Sequence, residues 1–350
     1  MVSKGGDEVA AGDKVELIHG SGGEAMVRLI EEVIVAGFKR GSVFGGLGLK
    51  DMDDGSTIPL KDFEIVMTSD GYTVDPIFFP GGDIGKLAIA GTINDLAVMG
   101  ARPLAILDSI IVEEGFSIQD LKRIIRSMAT TAEEVGVAVI GGDFKVMPRG
   151  KVDKVVIATA GVGLVERGKA IRDSGLKPGD KIIVTGTIGD HELSLISVRE
   201  GISFECSIVS DVAPIWPVME AALKVGGVSA AKDPTRGGLA AALNELAKKS
   251  AVSIWVNEDR IPIKNEVKAA AEMLGLDPLY LACEGRAVIG VRADKADEVL
   301  EAIKSTKLGR DATIIGEARS ESPGYVVLET LIGGKRILEP PVGMPLPRVC

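Results

Sequence analysis

The chain has 350 residues, a formal net charge of −10, 46% hydrophobic residues and only 4% aromatics. That balance argues against nucleic acid or an anionic membrane as the main partner, because both need clustered positive charge and single strands also need aromatic stacking surfaces. Three cysteines (Cys206, Cys283, Cys350) form neither a disulfide framework nor a zinc pattern, and two histidines (His19, His191) cannot build a histidine-rich metal site. The polar opening has no apolar signal core, and no uncharged apolar run reaches ~18 residues, so cytoplasmic residence is expected.

Residues 1–16 read as a polar lead-in. HGSGGEAMVRLIEEVIVAG then predicts a Gly/Ser turn and an amphipathic helix, followed by a Gly- and Asp-rich loop. DFEIVMTSDGYTV predicts a strand ending in a turn at Ser69-Asp70-Gly71, and DIGKLAIAGTINDLAVMGA a helix interrupted at Gly91. LAILDSIIVEE is a strand. SIQDLKRIIRSMATTAEEVG is the clearest helix: Ser117 and Asp120 resemble a capping box, Leu121, Ile124, Ile125, Met128, Ala132 and Val135 line one face, and Gly136 supplies the stop. VAVIGGDFKV predicts a strand running into a Gly-Gly-Asp turn, and DKVVIATAGVGLVE a long strand. Composition shifts near Arg167–Pro178. GDKIIVTGTIGDHELSLISVREG opens a second unit of strand, Gly-rich turn and helix, and further helices and strands follow up to GYVVLETL.

The organisation is therefore a lead-in (1–16), two mixed α and β domains (17–168 and 169–338) and a tail (339–350). The end, PPVGMPLPRVC, carries four prolines. Proline removes backbone donors and fixes φ, so this segment is a semi-rigid, mobile arm that rises ~3.1 Å per residue. Cys350 at its tip has no packing role there; an accessible thiol on such an arm is a nucleophile and group carrier.

Acids recur beside small residues at expected turns: Asp53-Asp54, Asp70, Asp95, Asp143 and Asp233. Gathered by the fold, they would make an oxygen-only site suited to Mg²⁺ and phosphate; taken singly, Asp is an ordinary turn residue. Two Gly-flanked segments open helices, Gly186–His191 and Asp233–Gly238, and helix N-termini bind phosphate. No Walker A sequence occurs. Lys145 could neutralise a transferred phosphoryl group or be a solvated lysine. His191 could carry a proton or be structural. Glu284, beside glycine at a strand start, would ordinarily be exposed and idle. Cys206 and Cys283 are expected to be buried small residues.

HGSGGE (19–24), TSDGYTVDPIFFPGGDIGKLAIAGTINDLAVMGARP (68–103), GGDFKV (141–146), RGKVDK (149–154), GDHE (189–192), DPTRGG (233–238), CEGR (283–286) and PRVC (347–350) occur in this order. Together they strongly resemble the HypE family of hydrogenase maturation proteins, the carbamoyl dehydratases, within a wider superfamily that includes aminoimidazole ribonucleotide synthetase. The resemblance implies a mixed α+β and α/β two-domain synthetase-like fold with a flexible C-terminal tail. Its N-terminal domain would bind ATP and pair in a homodimer.

The resemblance further implies ATP binding by Asp54, Asp70, Lys86, Asn94, Asp95, Asp143, Asp233, Thr235, Arg236, Gly237 and Gly238, with the five acids Asp54, Asp70, Asp95, Asp143 and Asp233 managing Mg²⁺. Cys350, Glu284, Lys145 and His191 would be catalytic. A carbamoyltransferase, HypF, would load Cys350, and the nitrile made there would pass to an iron-carrying HypC–HypD complex. The chain departs from the family's usual Asn-Glu-Gly-Lys at Cys283 and Arg286 but keeps Glu284. Rival readings are a small-molecule kinase or synthetase of the same superfamily, which has no use for a cysteine on a proline arm, and a non-catalytic nucleotide-binding docking protein.

Overall fold

A computed structural model describes residues 14–20, 22–202, 208–342 and 348–350. Cys206, most of the lead-in and residues 343–347 of the arm lie outside the described residues.

The N-terminal half begins with α1 (Glu24–Leu29), continued by a wider turn through Val35; neither has a buried residue. Then come β1 (Ser56–Pro59), β2 (Phe63–Tyr72), the two-residue pair β3 (Phe78–Phe79) and β4 (Gly82–Asp83), and α2 (Ile84–Val98). β5 (Arg102–Glu113), α3 (Ile118–Glu134), β6 (Ala138–Met147) and β7 (Val155–Glu166) complete it. Five strands form one sheet in the order β1-β2-β7-β5-β6, antiparallel except for β5 and β6. α3 makes the crossover that a parallel pair requires.

Two expected turns are strand. β2 continues through Ser69-Asp70-Gly71 because β7 pairs with it residue by residue up to Tyr72↔Ile157. β6 continues through Gly141-Gly142-Asp143 on β5. The expected break in α2 is also absent. Gly91 sits inside the helix because Tyr72 crosses it there: a Cβ at Gly91 would lie 2.4 Å from the Tyr72 hydroxyl. α2 is buried on nearly every face, which its run of Gly and Ala permits. In α3, Ser117 Oγ accepts from the Asp120 amide, and Ile124, Met128 and Ala132 are buried. Ile125, expected on the same face, is exposed.

The C-terminal half comprises β8 (Lys181–Val184), α4 (Asp190–Arg199), α5 (Trp216–Val225), β9 (Val228–Lys232), α6 (Gly238–Ser250) and β10 (Ser253–Asn257). It continues with α7 (Asn265–Leu274), β11 (Val288–Val291), α8 (Ala296–Lys304), β12 (Thr313–Arg319), β13 (Val326–Glu329) and β14 (Lys335–Ile337). Its seven strands are ordered β14-β13-β10-β12-β8-β11-β9. One apolar cluster under this sheet packs α6, and another joins α5 and α8 to Ala97 and Val98 of α2. α2 is thus the shared wall between the halves. Among the described residues, no helix is long and apolar enough to cross a membrane.

Candidate active site

Where the two halves meet, Asp54, Asp70, Gly91, Asp95, Asp233, Thr235, Arg236, Glu284 and Cys350 line a cavity of about 160 Å³. Each half supplies acids from different elements. Asp70 comes from β2, Asp95 from α2 and Asp54 from the loop before β1; Asp233 follows β9, and Glu284 precedes β11. Asp70 and Asp95 were expected at turns. They stand instead on a strand and in a helix, whose fixed backbones aim them across the cavity.

Burial and mutual repulsion govern these acids, since loss of water and like charge both disfavour ionisation. Burial, reinforced by Asp233, Asp211 and Asp70, raises the Glu284 pKa well above the usual carboxylate range, against the pull of Arg236. Asp95 is raised well above it by burial and by Asp233, Asp70 and Asp54. Asp233 is pushed up to about 6, first by burial. Glu284, expected to be exposed, is therefore buried: it is 2% exposed. Its loop is held by Asp211, which accepts from the Glu284 and Gly285 amides at 3.2 Å each, and by Asn94, whose Nδ2 donates to the Glu284 carbonyl at 3.1 Å.

Behind the cavity lies an interdomain charge network. Lys232 Nζ is 2.5 Å from Asp54 Oδ1, 3.3 Å from Asp173 and 3.2 Å from Glu245. Lys249 bridges Asp53 at 2.9 Å and Asp173 at 2.8 Å. Asp95 Oδ2 accepts from Thr68 at 2.6 Å. Sequence reasoning missed Lys232, Asp173, Lys249 and Asp211. The one available signal was Lys232 adjoining Asp233-Pro234.

The acids do not form a ready-made cage: among the described residues, no three His, Cys, Asp or Glu side chains are grouped to hold an ion. Two carboxylate oxygens, Asp54 Oδ2 and Glu284 Oε1, are buried with no hydrogen-bond partner among the described residues. Asp54, with Asp70, Asp95 and Asp233 on the same cavity, offers the oxygen donors of which Mg²⁺ takes one or two, phosphate and water completing its shell.

Cys350 lines the cavity, and the two residues before it are bound beside it. The Thr73 amide donates to the Cys350 carbonyl at 2.9 Å and the Asp75 amide to the Arg348 carbonyl at 3.2 Å. Arg348 contacts Asp153 and donates to the Thr73 carbonyl, while Val349 joins the N-terminal core. The expected accessible thiol is here a seated one. Burial pushes the Cys350 pKa to about 12, with Arg236 opposing and Glu284, Asp70 and Asp233 adding to the rise.

Other expected site residues lie elsewhere in the chain. Asn94 is a buried staple, bonded to Ala213, Ile215 and Glu284 main chain. Lys86 donates to the Gly81 carbonyl at the start of α2. Asp143 and Lys145 pair with each other at 2.5 Å on β6, which is exposed along its whole length. Gly237 and Gly238 have φ of +81° and +60°, and a Cβ at Gly238 would lie 2.5 Å from the Leu281 carbonyl; a left-handed backbone and close packing both call for glycine there. Of the two helix openings, α6 borders the cavity through Thr235 and Arg236. The opening of α4 is filled by Arg286, which donates to the Thr187 carbonyl at 2.9 Å, and by Cys283, whose sulfur accepts from the Gly189 amide. Cys283 is fully buried.

Residues 52–165 match the N-terminal domain, and residues 177–329 the C-terminal domain, of AIR synthase related proteins. Two such domains around an acidic cleft define a class of two-domain proteins to which this chain belongs. A Methanocaldococcus jannaschii protein named for hydrogenase expression and formation is 52% identical over 96% of the chain and 100% of its own length. The carbamoyl dehydratase HypE of Rhizobium leguminosarum bv. viciae is 44% identical over 97% of the chain and 96% of its own. Among solved structures, a HypE–HypF complex matches with TM-score 0.84 at 42% identity, covering 89% of this chain and 99% of the other. HypE in complex with ATP matches with TM-score 0.80 at 39% identity, covering 96% and 100%. Within the class, the chain belongs to the family of HypE carbamoyl dehydratases.

Proposed function

We propose that this chain uses ATP to dehydrate an S-carbamoyl group on its own Cys350 to a thiocyanate, the source of cyanide ligands for hydrogenase iron. The carrying observation is Cys350 seated in the acidic cavity with Glu284 and Arg236. Converting S–C(=O)–NH₂ to S–C≡N removes one oxygen and two protons. Hydroxide leaves poorly, so the γ-phosphoryl group goes to the carbamoyl oxygen and departs as phosphate. Glu284, whose Oε1 is free of hydrogen bonds, takes one proton from nitrogen, and the second leaves with the departing phosphate as hydrogen phosphate. Mg²⁺ bound with ATP supplies positive charge to the phosphates and would be held by Asp54, Asp70, Asp95 or Asp233. Arg236 and Thr235, at the N-terminus of α6, hold phosphate by charge and free amides.

Lys145 and Asp143 complete the site from a second copy. β6 is an unpaired edge, exposed at every residue and bearing Val139, Ile140, Phe144, Val146 and Met147, all exposed. Such an edge calls for a cover, and a homodimer in which β6 of one protomer faces the other's cavity provides it. The HypF-bound relative supports HypF as the loading partner, and a HypC–HypD acceptor and a cytoplasmic setting belong to the same proposal.

Mass spectrometry of the C-terminal peptide tests the reading. After carbamoylation, ATP and Mg²⁺ should remove the mass of one water from Cys350, with Cys350→Ala as control. A stable carbamoyl adduct in a chain that binds ATP sinks it.

A further inference from the structure

His191 is fully buried and does not line the cavity that holds Cys350. Its Nε2 lies 2.8 Å from the Val349 carbonyl and its Nδ1 2.7 Å from Ser210 Oγ. A carbonyl only accepts, so Nε2 carries the hydrogen. A neutral ring then presents Nδ1 as acceptor, and the Ser210 hydroxyl donates to it while accepting from the Val212 amide at 3.1 Å. Phe79 packs edge-on at 5.3 Å, and burial lowers the pKa of the imidazole, in keeping with a neutral ring. Both nitrogens are thus committed, which leaves none for proton transfer to the carbamoyl group.

We propose that His191 is a positioning residue that holds the terminal segment in the cavity through its main chain, with its tautomer set by Ser210. Neighbouring contacts act in the same sense. Arg199 donates to the Arg348 and Asp75 carbonyls, and the Thr73 amide to Cys350. The main-chain oxygens of three successive residues are therefore captured by two separate elements, α4 and the segment that follows β2, which fixes the depth at which the sulfur sits. This inference rests on the reading that Cys350 is the carrier, and it assigns His191 to seating the carrier rather than to the reaction.

The test is the alkylation rate of Cys350 by iodoacetamide in the full-length chain without ATP or carbamoyl group, read from the C-terminal peptide. Alkylation proceeds through the unseated state. Losing one buried hydrogen bond in His191→Leu should speed it about fivefold or more, and His191→Gln, whose amide can donate from a similar place, should restore protection. Urea unfolding supplies a second reading. The loss of stability in His191→Leu should shrink when residues 348–350 are removed from both chains, since the Val349 carbonyl is then gone while the Ser210 and Phe79 contacts stay in both backgrounds. Equal alkylation of the wild type and His191→Leu, or a penalty that the truncation leaves undiminished, overturns the proposal. Failure of the dehydratase reading would show separately, as a wild-type carbamoyl adduct that ATP leaves intact.

Discussion

Replacing Glu192 by glutamine should stabilise the chain at pH 8 and leave it nearly unchanged at pH 5. Glu192 lies in the first turn of α4, is 4% exposed, and accepts from the Ala282 amide at 2.7 Å. Burial raises its pKa to about 7, against that amide and the charge of Arg199. The unfolded chain releases this proton near 4.5, whereas the folded chain keeps it until about 7. Folding therefore binds a proton across that window, and stability falls as pH rises through it. The span is ~2.5 pH units at 1.36 kcal/mol each, or about 3 kcal/mol at pH 8. Glutamine keeps an oxygen for the Ala282 amide, so the substitution isolates the charge. Urea unfolding of both chains at pH 5, 6, 7 and 8 measures it. The difference should open between pH 5 and 7 and then level off. A glutamine variant less stable than wild type at pH 8 would show that the carboxylate is held ionised, and would refute burial as the dominant cause.

Lys232→Met should cost about 3–5 kcal/mol in the same assay, because it leaves Asp54 and Asp173 without the cation between them; retained stability would mean the network is a surface feature. Gly91→Ala should cost about 1–3 kcal/mol from crowding against Tyr72, seen as a lower urea midpoint, and Gly91→Ala with Tyr72→Phe should recover part of it. Chains carrying Lys145→Ala and chains carrying Cys350→Ala should each be inactive alone but active when mixed, because the first supplies a tail and the second supplies β6. No recovery in a mixture shown to exchange subunits would place Lys145 within its own chain's site.

Local signals account for much of the fold and for part of the site. α3 was readable because one face repeats at helical spacing and Ser117 caps it. Gly91 misled because its reason lies 19 positions away, at a tyrosine brought by β2. Likewise, Asp70 and Gly141–Asp143 carry turn-like residues, yet both sit in strands whose neighbours impose the ladder. The cavity acids were legible as a set only through the order of motifs along the chain. Lys232, Asp211 and Asn94 were not legible in their actual roles. Lys232 and Asn94 act by what they touch across the domain boundary and Asp211 by a loop more than seventy positions along the chain, and no spacing along the chain encodes that.

The balance of charge in the cavity explains why one scaffold can serve different acceptors. Among the described residues, five acids line the space and Arg236 is the only cation that does. Repulsion between buried acids is costly and persists where a positive charge is meant to enter. That feature suits any Mg²⁺–nucleotide enzyme and does not distinguish a dehydratase from a kinase. What distinguishes them is the occupant of the acceptor position. Here Val349 packs into the core and three main-chain carbonyls are bonded, so the sulfur occupies space that a diffusing acceptor would need. Tethering replaces affinity for a free substrate with a high effective concentration. The same seating raises the thiol pKa to about 12 and so suppresses its nucleophilicity. On the proposed function, loading with a carbamoyl group would therefore occur on an unseated Cys350, and dehydration on the seated one.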